Sequence, residues 1–486
     1  MTTKVLFSNE FGIKRSQYEL DFVDIILNGD KALYIDPFAI HHRADRFSME
    51  CYAKIVDYFR YLINQMQKSN KPEVLETLSH LNEPNETHLG LSSGNQSRGR
   101  GVGSTYAAIL YDALIKSKAI KTGFLRDLED CVLLIEGISH DRISDMTTNI
   151  IRENLLIYTQ EQCKLLGVKV EKVAAGCIWK DNKWQSIYAY LPIYNNTFIL
   201  LVPKALVRSS YSFSFSASEY YNRNILEYLQ AEHLNSNTSL VRLLKSGDTR
   251  PPYKKTLKKL PVYEYSKEYL YEFSSKHMQV LRQYKNEKKA EQNYIDNTEL
   301  LKYGVGSKLA DISQLDKELE NIKPGPENAT KYHKLVFGLL EYIFYPMLIY
   351  PRIEAEIDEA RKRVDIISQN AAKDGFFEWL HRVRGIPCAY IFSECKNYSS
   401  DPVNPEVDQL LGRFDANNGK FGFLLCRKID NRALLIQRCR DSATKGRGFI
   451  VPLEDKDLQE LLRIKQSGNI SEMNQILNNK FLEIAI

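Results

Sequence analysis

The chain has 486 residues, enough for two to four domains and for more than one buried core. Hydrophobic residues make up 43%, charged residues 26% and aromatic residues 11%, which excludes a wholly disordered, collagenous or coiled-coil chain. The 66 basic and 61 acidic side chains leave a net charge of +5, too small an excess to create an overall field, so any basic binding surface must be local.

The opening residues lack a charged start followed by an apolar core and a small-residue cleavage site, so no signal peptide is expected. The longest greasy stretch, residues 335–350, carries Glu341 and Pro346 and falls short of the roughly 20 apolar residues that a spanning helix requires. No membrane association is expected. The eight cysteines are scattered without a CxxC pair, which reads as small hydrophobes in a reducing, cytoplasmic setting.

In chain order, the pattern is mixed α/β. Residues 1–265 read as an α+β region with a sensing or assembly role. Within it, residues 31–40 look like a strand ending at Asp36-Pro37, followed by a helix with Tyr52, Ile55, Val56, Tyr58, Phe59 and Leu62 at helical spacing. His41 and His42 read as an ordinary loop. From Gly90 a glycine, serine and arginine stretch cannot pack a core. It lacks the ending of a Walker motif and reads as a flexible loop suited to nucleic-acid backbone, running into a helix at 105–115. Residues 131–135 look like a buried strand. Ser144 and Asp145 look like caps for a helix through Tyr158. Glu136, His140, Asp141 and Asp145 form an acidic cluster that turn and capping roles explain, with a second metal site as the alternative. Residues 168–207 read as strands, with turns at 180–183 and 195–196. The basic run at 254–259, beside Pro251-Pro252, looks like an exposed linker able to help hold DNA.

Residues 266–327 read as a helical connector and linker, and Pro324-Gly325-Pro326 is the clearest break. Residues 328–486 follow as a domain expected to fold alone. Its order is a helix at 332–344, a charged strand at 359–368, an amphipathic segment at 375–382 and a strand at 388–398. A helix around 406–414 and an apolar strand at 421–426 come next. Strand alternation puts Glu394 and Lys396 on one face, with Ser393 and Cys395 on the other. Asp365 is a lone carboxylate between Val364 and Ile366. If the two strands are neighbours, Asp365 and Glu394 meet and repel, and a divalent cation resolves the conflict. Hard oxygen donors suit Mg²⁺ or Mn²⁺. Lys396 is then placed to orient an attacking water and help deprotonate it. The competing reading is an exposed edge strand whose Glu–Lys pair is worth under about 1 kcal/mol.

Asp365 followed by Glu394-Cys395-Lys396 resembles the PD-(D/E)XK nuclease superfamily, and the order of helices and strands around it is similar. The likeness covers roughly residues 330–470, about a third of the chain. It implies a restriction-endonuclease-like αβ sandwich. The family's helix glutamate falls on Glu341, the glutamine of some branches on Gln409, and the backbone carbonyl that ligates metal on Cys395. Residues 440–462 resemble the end of the methyl-directed restriction branch. The proline of the family name is replaced by Val364, and the insertion between the two strands is long. Beside this frame, Arg361 and Arg363 share the strand face of Asp365, and Arg413 lies one turn from Gln409. All three are candidates for nucleic-acid phosphate contacts, against a solvated charged surface.

The resemblance implies a Mg²⁺-dependent endodeoxyribonuclease with DNA as its partner, in the setting of a bacterial defence or restriction effector. Two other readings stand beside it: a nucleic-acid-binding or scaffold protein that has lost catalysis, and a nuclease acting on RNA. Homo-oligomerisation is left open.

Overall fold

Two apolar cores organise the mixed α/β chain in a computed structural model that describes residues 4–43, 45–90, 102–124, 127–128, 130–209, 215–291, 294–303, 311–357 and 362–486. The first core belongs mainly to the N-terminal region. Asp45 opens the helix Arg46–Gln67 by accepting the Ser48 amide at 2.6 Å. That helix buries Ile55, Tyr58, Phe59 and Leu62 along one face, as the spacing predicts, with Cys51 buried beside them and Tyr52 and Val56 half-buried at its margin. The strand ahead of it is short, Leu33–Ile35, and passes at Asp36 into the helix Pro37–His41. His41 therefore ends a helix rather than lying in a loop. The hairpin turns form where expected. Asp181 and Asn182 adopt φ of 53° and 60°, and Asn195 and Asn196 adopt 47° and 62°, the left-handed pairs that two-residue hairpin turns demand.

Two expectations fail here. Residues 131–135 form no strand: the helix Asp130–Leu134 occupies this run, and all its residues are buried. A short run that is apolar all round has no period to separate strand from helix. Ser144 and Asp145 are not caps. They lie inside the helix His140–Ile150, which Ser139 caps, and the Ser144 hydroxyl accepts the Ile35 amide at 2.9 Å. A second helix, Arg152–Leu166, continues after Ile151. The stretch 91–101 lies outside the described residues, and the helix Val102–Lys116 follows it.

The connector is helical, with Lys267–Lys276, Met278–Glu291, Asn297–Lys302 and Ile312–Asn321. It is not a free spacer. Leu270, Phe273, Leu281 and Tyr284 fill the first core, while Ile312, Leu315 and Leu319 fill the second. The Pro-Gly-Pro break is itself pinned. The Gly325 amide donates to the Asn397 carbonyl at 2.8 Å, and the Asn397 side-chain amide reaches the carbonyls of Lys323 and Gly325 at 3.1 and 2.8 Å. A boundary at 328 thus separates a packed helix from its core. In the other direction, Tyr345, Ile349 and Tyr350 cross into the first core.

The second core surrounds a five-stranded sheet. In spatial order its strands are Phe449–Glu454, Phe421–Cys426, Tyr390–Lys396, Lys362–Asn370 and Leu348–Ile357. The first three run parallel, and each of the last two is antiparallel to its neighbour. The sequence reading lacks both edge strands. The greasy run 335–350 spans the end of the helix Ala329–Phe344, expected at 332–344, and the start of the strand Leu348–Ile357, which is not expected. Phe449–Glu454 carries Pro452, which is tolerated because this strand is an edge. Among the described residues, no helix is long and apolar enough to cross a membrane.

Candidate active site on the central strands

The strand Tyr390–Lys396 has neighbours on both sides, and its residues are drawn out of water whatever their polarity. Glu394 is fully buried and Lys396 is 8% exposed. Alternation sets them on one face, where the Lys396 ammonium donates to Glu394 Oε1 at 2.9 Å. Cys395 points the opposite way into the second core, and burial pushes its thiol well above the ordinary range.

The adjoining strand runs antiparallel, with Ile366 opposite Ser393. One step further along that register, Asp365 stands opposite Glu394. The backbone ladder gives way there, and the Cys395 amide donates to Asp365 Oδ2 at 2.8 Å instead. Two carboxylates therefore share one face at a frayed ladder end. Burial raises the Glu394 pKa and Asp365 adds to the rise, with Lys396 and Arg413 opposing it. For Lys396, burial favours loss of the proton, but Glu394 and Asp365 outweigh it and hold the pKa above its usual value. Lys396 is thus held as an ammonium, a hydrogen-bond donor beside both carboxylates.

The site is short of one positive partner. Glu394 Oε2 is buried without a hydrogen bond, a condition that costs about 1–3 kcal/mol. The lysine's second bond goes to Gln409 Oε1 at 3.0 Å, on the helix Asn404–Leu411. Arg413, just beyond that helix, is half-buried, and its Nε is also unpartnered.

Glu341 is not brought to this group. It pairs with Lys204 at 2.8 Å, both side chains sealed from solvent. The residue of helix Ala329–Phe344 that does reach the site is His333. Its Nε2 lies 3.1 Å from the Cys395 carbonyl and 4.0 Å from Asp365 Oδ2. Eight residues separate the two positions, about 12 Å along a helix axis, so a helix that presents His333 cannot also present Glu341. A signal existed in the sequence: His333 shares the helix stripe of Phe337 and Leu340, which packs inward. Arg361 lies outside the described residues, and of Arg363 only the backbone, paired with Glu356, is described.

The oxygen donors at hand are the two carboxylates and the Cys395 carbonyl. Among the described residues, no group of three or more His, Cys, Asp or Glu side chains gathers as a metal site. Two carboxylates still suit Mg²⁺, which keeps several of its waters, and the unsatisfied Glu394 Oε2 is an acceptor such an ion would satisfy.

The other candidates resolve as structure. His140 Nε2 lies 2.6 Å from the Phe215 carbonyl, and Glu136 accepts the Lys267 amide at 3.0 Å. Asp145 is buried in its helix. The run 254–259 is no free linker: Lys254 donates to the Asn222 carbonyl at 2.9 Å and pairs with Glu227, while Leu257 is buried.

A family described only as a domain of unknown function (DUF8370) matches residues 12–214, less than half of the chain and none of the sheet that carries Asp365. The comparisons with curated proteins and with solved structures give no significant match.

Proposed function

We propose that the C-terminal half is a divalent-cation-dependent nuclease domain of the PD-(D/E)XK kind that hydrolyses DNA phosphodiester bonds. The observation that carries this reading is the Lys396 ammonium held between Glu394 and Gln409 beside Asp365, with Glu394 Oε2 left unpartnered. The element order supports it. A helix precedes three antiparallel strands, and a second helix leads from the Lys396 strand into a parallel one.

Asp365, Glu394 and the Cys395 carbonyl would hold Mg²⁺ or Mn²⁺. Such an ion, when bound, polarises phosphoryl oxygens and makes water more acidic. The chain's own residues do the rest. An ammonium has three donors, and with two engaged Lys396 keeps one for an attacking water or a phosphate oxygen. Gln409 fixes the direction of that donor. Arg413, beside Glu394, adds positive charge where phosphate charge builds in the transition state. Control by the N-terminal region, in a bacterial defence setting, belongs to the same proposal. Eight free cysteines suit the cytoplasm as its compartment.

The test is incubation of the purified chain with supercoiled plasmid, single-stranded DNA and RNA in Mg²⁺, Mn²⁺ or EDTA. Metal-dependent plasmid nicking that disappears in Asp365→Asn is expected. Cleavage that persists in EDTA or in that variant overturns the reading, and cleavage of RNA alone reassigns the substrate.

A further inference from the structure

At the far end of the Asp365 strand, a cavity of about 200 Å³ opens on the seam between the two cores. The N-terminal region contributes Arg43 and Arg208 to its lining, and the C-terminal half contributes Asn370, Lys373 and Arg382. The one acidic lining residue, Asp45, accepts the Ser48 amide through Oδ1, and its buried Oδ2, without a hydrogen bond, supplies the counter-charge to Arg43. Both terminal nitrogens of Arg43 are buried without a hydrogen-bond partner, and its guanidinium sits 4.6 Å from the Tyr294 ring centroid. Arg208 is 3% exposed and donates to the Val207 carbonyl at 2.8 Å. Burial, reinforced by Arg43, depresses the Arg208 guanidinium to about 10, and burial with both arginines depresses Lys373. Buried charges in proteins are paired, and here three arginines and one lysine line the cavity against the single carboxylate of Asp45, so cations are in excess.

We propose that this cavity binds the phosphate group of a small phosphorylated ligand. Guanidinium forks match phosphate oxygens bidentately, and two of them with a lysine converge here from different parts of the chain. The space would hold on the order of ten waters, more than a single compact ion fills. A duplex is too wide to bring its backbone to the covered Arg43 nitrogens, so the ligand is a small molecule. The site is distinct from the carboxylate pair: Asn370 lies roughly 17 Å from Asp365 along an extended strand. It also joins the two halves, so occupation would brace the N-terminal region against the strand that carries Asp365.

Calorimetry and thermal melts on the full chain test this, with inorganic phosphate, pyrophosphate, a nucleoside triphosphate, a short DNA duplex, and chloride at matched ionic strength. A saturable rise in melting temperature is expected with at least one of the small phosphorylated probes, since a ligand that binds only the folded state stabilises it. The strongest of these probes identifies the source of the phosphate. Arg43→Met is expected to lose the response, and because it strips Asp45 of its counter-charge it is paired with Arg43→Met/Asp45→Asn, which is expected to lose the response with the ligand-free melting temperature restored. Lys373 is exposed, so Lys373→Ala leaves the fold intact and is expected to weaken binding about tenfold. The proposal is overturned if no small phosphorylated probe binds saturably, if binding survives unchanged in Lys373→Ala, or if only the duplex binds.

Discussion

Two buried lysine–glutamate pairs hold this molecule's two most consequential places, and they are chemically the same. Lys204–Glu341 and Lys396–Glu394 are separated by 2.8 and 2.9 Å. The first is sealed, with Lys204 also facing Asn297 Oδ1 at 3.2 Å and standing 4.0 Å from the Tyr345 ring centroid. It draws one residue each from the N-terminal region, the connector and the C-terminal half, so its effect is to lock the parts together. The second sits at a frayed strand end, with another carboxylate opposite and one acceptor oxygen left over. Burial of an ion pair is therefore no mark of chemistry. The sealed pair too has a second carboxylate, Asp21, beside it and acceptor oxygens without a hydrogen bond, so a surplus of acceptors does not separate the two. What does is that Asp365 and Lys396 keep some exposure while Lys204 and Glu341 keep almost none.

The comparison breaks first if the two pairs respond alike to mutation. Asp365→Asn is expected to lower Mg²⁺-dependent plasmid cleavage by on the order of a thousandfold or more, and Lys396→Ala by about a hundredfold to a thousandfold, with the urea midpoint of Asp365→Asn nearly unchanged. A Lys396→Ala chain that cuts at the parental rate would remove the lysine from the mechanism. Lys204→Ala should do the reverse in kind. Leaving Glu341 buried and unpaired is expected to cost about 3–5 kcal/mol in equilibrium unfolding, and replacing both partners, Lys204→Met with Glu341→Leu, should recover most of that loss.

The seam between the halves gives a smaller effect. A fragment of residues 311–486 should be more stable than one of residues 328–486, because the latter lacks Leu315 and Leu319, buried groups worth about 1.5–3 kcal/mol each. Equal denaturation midpoints would show that the helix Ile312–Asn321 is only an appendage. A pH dependence of stability comes from Asp145, outside either pair. Burial, then Asp141 and Glu83, push the Asp145 carboxyl up to about 8. A folded-state pKa raised this far above the usual carboxylate value means that the folded protein holds the proton more tightly than the unfolded chain. The associated stability is whole below about pH 4 and is lost as pH rises toward 8. Asp145→Asn should flatten that part of the stability profile, read from urea midpoints between pH 5 and 8.5.

Much of the fold and the heart of the candidate site were legible because they depend on short periods. The two-residue alternation of a strand placed Glu394 and Lys396 on one face, and four Asn or Asp residues placed two hairpin turns. The helix Arg46–Gln67 announced its buried stripe by its spacing. Where the period vanished, the reading failed: the all-apolar run at 131–135 is a helix, and the edge strand Leu348–Ile357 after the expected helix went unread.

What the sequence determined by itself is local: element type where a period exists, turn position, and the face on which neighbouring side chains lie. Only the tertiary structure decided which end of the helix Ala329–Phe344 meets the Asp365 strand, and hence that His333 and not Glu341 stands there. Only it joined Lys204 to Glu341, and Arg43 and Arg208 to Lys373, across more than a hundred residues of chain. The reason is physical. Alternation and helical pitch are set by bonds within a few residues, whereas these meetings are set by how separate apolar faces pack, and no local spacing carries that information.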